Sequence, residues 1–351
     1  MATPDLLRQL LTAPGPSGYE TAPAAVWRSA AEEFAEVSGD TLGSSVARVA
    51  GSDDGPLLAV VGHIDEIGLI VTHITDEGFL HFIGVGGWDA QILVGQRVEL
   101  ITRDGAIPGV IGKKPIHLLK EEDRKKVAEV KDLHIDVGAS TGDQAREIVR
   151  IGDVAVIAGE PVEMPNGRLV SRSLDNRLGA YVALEAARLV SGEDRAPGDL
   201  AAVAPVQEEI TFAGARTTAF ALEPALAIVV DVTHATDAPG VEPRELGEHK
   251  LGSGPVIERG SIISPAVFER LHDAAEAEGI PFTVAASARH TGTDADAVHI
   301  SRAGVPTGVV SIPLRYMHSP AEMVDLADVE ATARLIAAFA RGLDGGATFE
   351  R

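Results

Sequence analysis

Cysteine is absent from all 351 residues. That excludes disulfides and thiolate-held metal, so any metal must be bound by histidine, aspartate or glutamate. Positive charge is scarce as well: 30 lysines and arginines stand against 52 aspartates and glutamates, a formal net charge of -22 at pH 7. Such a chain repels nucleic-acid phosphates and anionic membrane surfaces, and neither is expected as a partner. Long apolar runs are missing too, none approaching the roughly 20 residues a bilayer-crossing helix needs. The opening Met1-Ala2-Thr3-Pro4-Asp5-Leu6 has no basic segment leading into an apolar core, so a cytoplasmic location is expected. What is present is ordinary for a globular protein, 45% hydrophobic and 23% charged residues, which argues against disorder. The length favours two domains over one.

Short apolar runs recur, each leading into an acidic or imidazole group. Leu57-Leu58-Ala59-Val60-Val61 precedes His63 and Asp65, the segment Ala201 to Gln207 precedes Glu208-Glu209, Leu226 to Val230 runs into Asp231, and Val309 to Pro313 precedes His318. Asp175 lies in Ser173-Leu174-Asp175-Asn176-Arg177. Such runs read as buried strands, and open α/β sheets collect functional groups beyond the carboxyl ends of parallel strands. Between Leu69 and about Val162 the texture changes to short, partly alternating runs separated by Gly and Asp turn signals, the pattern of a small all-β unit. The α/β rhythm resumes afterwards. The expected architecture is therefore an α/β domain over residues 1–68 and 163–351 with a β-rich insertion over 69–162. A helix from Thr21 to Glu36 and another from Leu178 to Val190 are expected within the α/β part.

Two imidazoles and several carboxylates at strand ends have the composition of a two-metal hydrolase centre. A workable assignment puts His63 and Asp231 on one ion, Glu209 and His318 on the other, and Asp175 between them as a bridge. Asp65, two residues from His63, would stand behind that imidazole and set its tautomer. Adjacent carboxylates repel, so the pair Glu208-Glu209 has no structural benefit at a buried strand end unless a cation resolves the repulsion. Glu209 then serves as ligand and Glu208 as the general base on water, with the reverse assignment left open. His234 and Asp237, near Asp231, read as loop hydrogen-bonding residues, with substitution for one of the ligands as the lesser alternative, and Gly292-Thr293-Asp294-Ala295 as a helix cap or a pocket wall.

Rival motifs are weaker. Gly138-Ala139-Ser140-Thr141-Gly142 fits the G-x-S-x-G nucleophile pattern, but it falls in the β-rich segment, where Ser140 or Thr141 serves equally as a helix cap. Gly112-Lys113 lacks the other residues of a phosphate loop, and no H-E-x-x-H occurs.

Nearly the whole chain resembles the tetrahedral (TET) aminopeptidases, a group that includes glutamyl and deblocking aminopeptidases and proteins labelled cellulase M. The resemblance is carried by Pro14-Gly15-Pro16-Ser17-Gly18-Tyr19-Glu20, Gly62 to Gly68, Val85-Gly86-Gly87-Trp88-Asp89, Ile135 to Ala139, Leu174 to Arg177, Gln207-Glu208-Glu209, Asp231 to Asp237, Gly292 to Ala295 and Arg315 to Pro320. It implies metal ligands at His63, Asp175, Glu209, Asp231 and His318, a general base at Glu208 and a supporting carboxylate at Asp65. It further implies a mixed-sheet, zinc-peptidase-like catalytic domain with an inserted β-barrel, two divalent ions (zinc or cobalt), peptide substrates, and a homo-oligomer built from dimers up to a hollow dodecamer. The insertion is then expected to govern assembly rather than bond cleavage. One departure is visible: Ile210-Thr211-Phe212-Ala213 follows Glu209 where the family usually has Val-Gly and a short path to Gly-Ala. The reading is a metal-dependent aminopeptidase, with a glycan hydrolase and a non-catalytic metal-dependent scaffold as the alternatives. Loss of activity on chelation separates the first from a two-carboxylate glycosidase.

Overall fold

Strands β1 (Glu36–Gly39), β2 (Ser45–Val49) and β3 (Gly55–Val61) come first in a computed structural model that describes residues 2–349 apart from Glu193. Next are β4 (Gly68–Ile74), β5 (Leu80–Val85), β6 (Arg97–Thr102), β7 (Gly105–Lys113), β8 (Leu133–Asp136) and β9 (Val154–Ile157), which close into a barrel in the order β4-β5-β8-β7-β6-β9. They are followed by β10 (Val162–Met164), β11 (Arg168–Ser171), β12 (Gly198–Ala204), β13 (Leu226–His234), β14 (Val256–Gly260), β15 (Thr283–Ser287), β16 (Thr307–Leu314) and β17 (Glu322–Asp325). The main sheet runs β1-β2-β12-β3-β13-β16-β14-β15, and β10-β11-β17 form a small second sheet.

At the centre of the main sheet β12, β3, β13 and β16 pair in parallel. Their residues are apolar almost without alternation because they are buried nearly throughout, as parallel strands under covering helices must be. Helices Leu174–Leu189 and Leu326–Arg341 pack on these strands and on each other. Ala180, Ala183, Ala186 and Ala187 on the first are fully buried, small enough to let the helix lie close. Enlarging one would overpack the core, at a cost of about 1–3 kcal/mol. The barrel has a separate core in which Leu69, Val71, Leu80, Phe82, Val98 and Leu100 alternate inward along their strands. Among the described residues no helix is long and apolar enough to cross a membrane.

Three local expectations shift. The helix beginning at Thr21 stops at Ala31, and the chain turns into β1, because Glu36 to Gly39 pair with Arg48 to Ser45 of β2 and long-range pairing overrides local propensity. The helix expected from Leu178 already begins at Leu174 and includes Asp175. Asp231 does not end its strand: β13 continues to His234 because β16 runs beside it to Leu314, so Asp231 sits within the ladder opposite Ser311.

Candidate metal centre

Parallel pairing brings the ends of β3, β12 and β16 together, and the segments that follow carry His63, Glu208-Glu209 and His318 to one place beside Asp231 of β13 and Asp175. His63, Asp175 and Glu209 present ligand atoms within 4.8 Å of one another, and so do His63, Glu208 and Asp231. His63 Nε2 lies 3.4 Å from Asp175 Oδ1 and 3.6 Å from Glu208 Oε2. His318 Nε2 lies 3.4 Å from Asp175 Oδ2 and 3.3 Å from Glu209 Oε1. Thus the two oxygens of Asp175 face two different imidazoles. Ligand atoms held at about 2.0–2.1 Å around a tetrahedral ion are themselves about 3.3–3.4 Å apart, so these separations suit a shared cation.

Both imidazoles are turned so that Nε2 faces the carboxylates. His318 Nδ1 lies 3.0 Å from the carbonyl of Gly87, which can only accept, so Nδ1 carries the proton of the neutral ring and Nε2 keeps its lone pair. His63 Nδ1 lies 3.4 Å from Asp65 Oδ1. Asp65 also accepts the backbone N–H groups of Glu208 (3.0 Å) and Glu209 (3.2 Å) and the hydroxyl of Ser17 (2.5 Å). One fully buried carboxylate therefore ties the loop after β3 to the loop after β12 and orients an imidazole between them.

The electrostatics report a crowd of acids. Burial and repulsion from Asp231, Asp294 and Glu209, partly offset by His63, push Glu208 up to about 10. Burial likewise raises Asp231 well above the usual carboxylate range. Burial alone would raise Asp175 too, but His318 and His63 hold it well below that range. Hydrogen bonding to Asp175 and Glu209 pushes His318 up to about 11. For His63 desolvation favours the neutral ring, yet Glu208, Asp175 and Asp65 outweigh it and raise its pKa well above the usual imidazole value. Imidazoles that hold protons to neutralise the carboxylates around them occupy positions where divalent cations would do the same. The donor set, all nitrogen and oxygen, fits such ions.

Backbone geometry at the site is unusual. Ser173, Gln207 and His318, which adjoin or belong to the cluster, have φ of 57°, 62° and 58°, values rare outside glycine and concentrated at functional sites. Gly62, before His63, is required by close approach, since a Cβ there would lie 2.2 Å from the carbonyl carbon of Gly179. Below, Glu66 pairs with Arg172 and with the fully buried Arg177, and accepts Gly15 N–H at 3.0 Å. Arg177 also donates to the carbonyls of Leu10 (2.5 Å) and Ala13 (3.0 Å), which fastens the site to the end of helix Asp5–Thr12.

Two buried carboxylates here had not been singled out from the sequence as site residues. Glu322, at the start of β17, accepts Asp175 N–H at 3.1 Å and His318 N–H at 2.9 Å. Asp294, 1% exposed, has neither oxygen hydrogen-bonded among the described residues, and burial pushes it up to about 7. Glu322 follows no apolar run, so only the fold reveals it. Asp294 lay in a noted motif whose capping alternative was equally good. His234 lines the site cavity, while Asp237 turns away to pair with Arg315 at 2.6 Å. In the barrel segment Thr141 caps helix Gly142–Ile148 by accepting Gln144 N–H, and Ser140 has no imidazole partner among its described contacts, so the nucleophile pattern is a helix start. His117 is exposed in a short 3₁₀ turn.

The site opens into a cavity of about 300 Å³. A larger one of about 940 Å³, bounded by Pro56, Ala225 and Phe349, contains none of the clustered carboxylates, so size does not mark the chemistry.

Known proteins share the sequence pattern and the fold. The sequence profile of the M42 glutamyl aminopeptidase family matches residues 43–335. The lysyl aminopeptidase of Pyrococcus furiosus is 37% identical over 340 residues, covering 94% of each chain. A TET aminopeptidase from a marine sediment archaeon of the Thaumarchaeota superposes with a TM-score of 0.92 at 36% identity, covering 97% of this chain and 96% of that one. The TET1 peptidase of Pyrococcus horikoshii, which can assemble into a tetrahedron or a large octahedral shell, does so with a TM-score of 0.85 at 32% identity, covering 97% and 99%. Matched in sequence and in fold along nearly its whole length, the chain belongs to the M42 glutamyl aminopeptidase family and is a metal-dependent aminopeptidase.

Proposed function

We propose that the cluster holds two divalent ions, zinc or cobalt, with His63 and Asp231 on one, Glu209 and His318 on the other, and Asp175 shared. The observation that carries this is the placement of Asp175, whose Oδ1 and Oδ2 each lie 3.4 Å from a different imidazole. When bound, such ions polarise the scissile carbonyl and make water acidic enough to lose a proton near neutral pH. Glu208, ionised once cations offset the repulsion from Asp231 and Glu209 that helps raise its pKa, takes that proton and returns it to the departing amine. Asp65 positions both Glu208 and Glu209 through their N–H groups and keeps His63 Nε2 directed at the carboxylates.

Substrates are peptides with a free α-amine, which the acidic surroundings of the centre favour. Relatives do not select the terminal residue by name, since lysyl and glutamyl aminopeptidases of opposite substrate charge both occur among them. The solved relatives include a dodecamer and larger shells. On that basis residues 69–162 are the assembly unit of a homo-oligomer here, and a cytoplasmic location goes with peptide turnover.

The experiment is a panel of free and amino-terminally acetylated peptides, incubated with metal-stripped protein to which zinc or cobalt is restored, and read by mass spectrometry. Stepwise loss of amino-terminal residues from the free peptides only is expected. Internal cleavage of acetylated peptides overturns the exopeptidase reading.

A further inference from the structure

Glu258 of β14 lines the same cavity as the clustered carboxylates, on the wall it shares with Thr291 to Thr293. No assigned role accounts for it. No lysine or arginine lines the cavity among the described residues. The next residue, Arg259, lies on the opposite face of the strand, where it reaches Glu269 at 3.8 Å and stacks over the Phe268 ring. Ser311 Oγ donates to Glu258 Oε1 at a long 3.4 Å, and Oε2 is buried without a hydrogen-bond partner among the described residues. Behind it, Asp296 holds the Thr291 loop in place through Thr291 N–H (2.8 Å), Thr291 Oγ1 (2.9 Å) and Gly292 N–H (3.0 Å), and adds a second negative charge to that wall. A half-buried carboxylate with only the Ser287 and Ser311 hydroxyls as side-chain donors and a like charge nearby is costly unless a cation approaches it, and the cavity is where one can come from.

Strand register decides which cation. Asp231 pairs with Ser311 across β13 and β16, and Ser311 pairs with Val256 across β16 and β14. Glu258 is thus two strands across from Asp231 and two residues along β14 from Val256, roughly 12 Å from backbone to backbone at the usual inter-strand spacing and rise. A substrate's α-amine lies one carbon from the scissile carbonyl and stays beside the metal centre. The ammonium of a lysine side chain lies beyond four methylenes, with a stem that can rest on apolar surface such as that of Val232 and Met317.

We propose that Glu258 is a specificity-determining residue that makes this cavity a subsite for basic amino-terminal side chains, lysine foremost. This rests on the aminopeptidase reading. It is tested with metal-loaded wild type and Glu258→Gln, a change that keeps side-chain size, assayed on lysyl, arginyl, leucyl and glutamyl reporters at matched metal content. The expected wild-type kcat/KM is at least about 10-fold higher for lysyl than for leucyl substrate, and Glu258→Gln lowers that ratio at least about 10-fold, the scale of a lost charge-assisted contact. A ratio unchanged in the variant, or a wild type that prefers leucyl or glutamyl substrate, overturns the proposal.

Thermal unfolding with L-lysine against L-norleucine, which keeps the α-amine and stem but lacks the ammonium, reads the subsite without turnover. Greater stabilisation by lysine in wild type, erased by Glu258→Gln, is expected, and equal stabilisation by both overturns the proposal. A protein that shows the lysine difference but hydrolyses nothing would sink the peptidase reading and keep the cation subsite. Turnover without the difference would do the reverse.

Discussion

Replacing Glu322 by glutamine tests whether the cluster is held in place by its supporting hydrogen bonds. The carboxylate is 2% exposed, and its two oxygens accept Asp175 N–H at 3.1 Å and His318 N–H at 2.9 Å, so one side chain braces the proposed bridge and an imidazole at once. Glutamine has one carbonyl oxygen, so one bond survives while the amide NH₂ is directed at an N–H donor. Burial and the Asp175 charge raise the Glu322 pKa, but cations at the centre offset that charge, and a hydrogen bond to the ionised carboxylate contributes about 1.5–3 kcal/mol. If that loss falls on the arrangement that binds metal, the dissociation constant rises about 10- to 150-fold, at about 1.4 kcal/mol per decade. The assay is calorimetric titration of zinc or cobalt into metal-stripped wild type and variant, with thermal unfolding of each in parallel. Wild-type metal affinity in the variant would refute the bracing argument, whether or not its unfolding temperature falls.

The remaining predictions address roles at the centre, acid stability and the barrel. Glu208→Gln should lower turnover by about 10²- to 10⁴-fold with metal content intact, whereas Glu209→Gln should lose metal and recover partly with excess zinc or cobalt; the reverse pattern in a metal titration exchanges their roles. Asp175→Asn should lose more metal by elemental analysis than any other single carboxylate change, because its two oxygens face both imidazoles; two tightly held ions in that variant would rule out the bridge. His249 is buried with its ring bonded to Thr283 Oγ1 (2.7 Å) and the Leu246 carbonyl (2.9 Å), and burial lowers its pKa below the usual 6.5. Its neutral form therefore contributes stability that is fully present above about pH 6.5 and lost as pH falls toward the lowered folded-state value; urea midpoints of wild type should fall more steeply than those of His249→Gln between pH 7 and 5. Exchanging residues 69–162 for a short linker should lower the number of subunits per particle in light scattering, and an unchanged subunit number would contradict an assembly role. Because Gly87 of that segment also holds His318 Nδ1, the same exchange should weaken metal binding.

How far the centre was legible follows from what each residue depends on. His63, Glu208, Glu209 and His318 come after apolar runs long enough to be strands, and parallel pairing of those runs brings their ends together, so one-dimensional position stood in for three-dimensional place. Asp231 was found for a partly wrong reason: it is inside β13, still paired with β16, and it reaches the cluster because β3 on its other side stops pairing at Val61, opposite Val229. Glu322 and Asp294 had no such signal. Their importance lies in contacts with backbone N–H groups, or with other acids, that are distant in sequence, and a lone carboxylate before a short strand or a helix looks like an ordinary cap. The end of the helix at Ala31 was also hidden, since only β2 shows that Glu36 has a strand to join.

Stability and chemistry oppose each other at this site, and the supporting residues show how the fold reconciles them. Bringing Glu208, Glu209, Asp231 and Asp175 together in a buried place is unfavourable on its own, and three left-handed non-glycine residues add backbone strain beside them. The opposing force comes from outside the donor set. Asp65 gathers two N–H groups, a hydroxyl and an imidazole, Glu66 gathers two arginines and an N–H, and Glu322 gathers two N–H groups, each joining segments that lie far apart in the chain. Beneath them Leu58 to Val61, Leu200 to Ala204 and Leu226 to Val230 are almost wholly buried, and each fully buried valine, leucine or isoleucine there contributes about 1.5–3 kcal/mol. The donors are thus held near one another by a core too costly to disrupt, and cations relieve a repulsion that the core, left to itself, only tolerates.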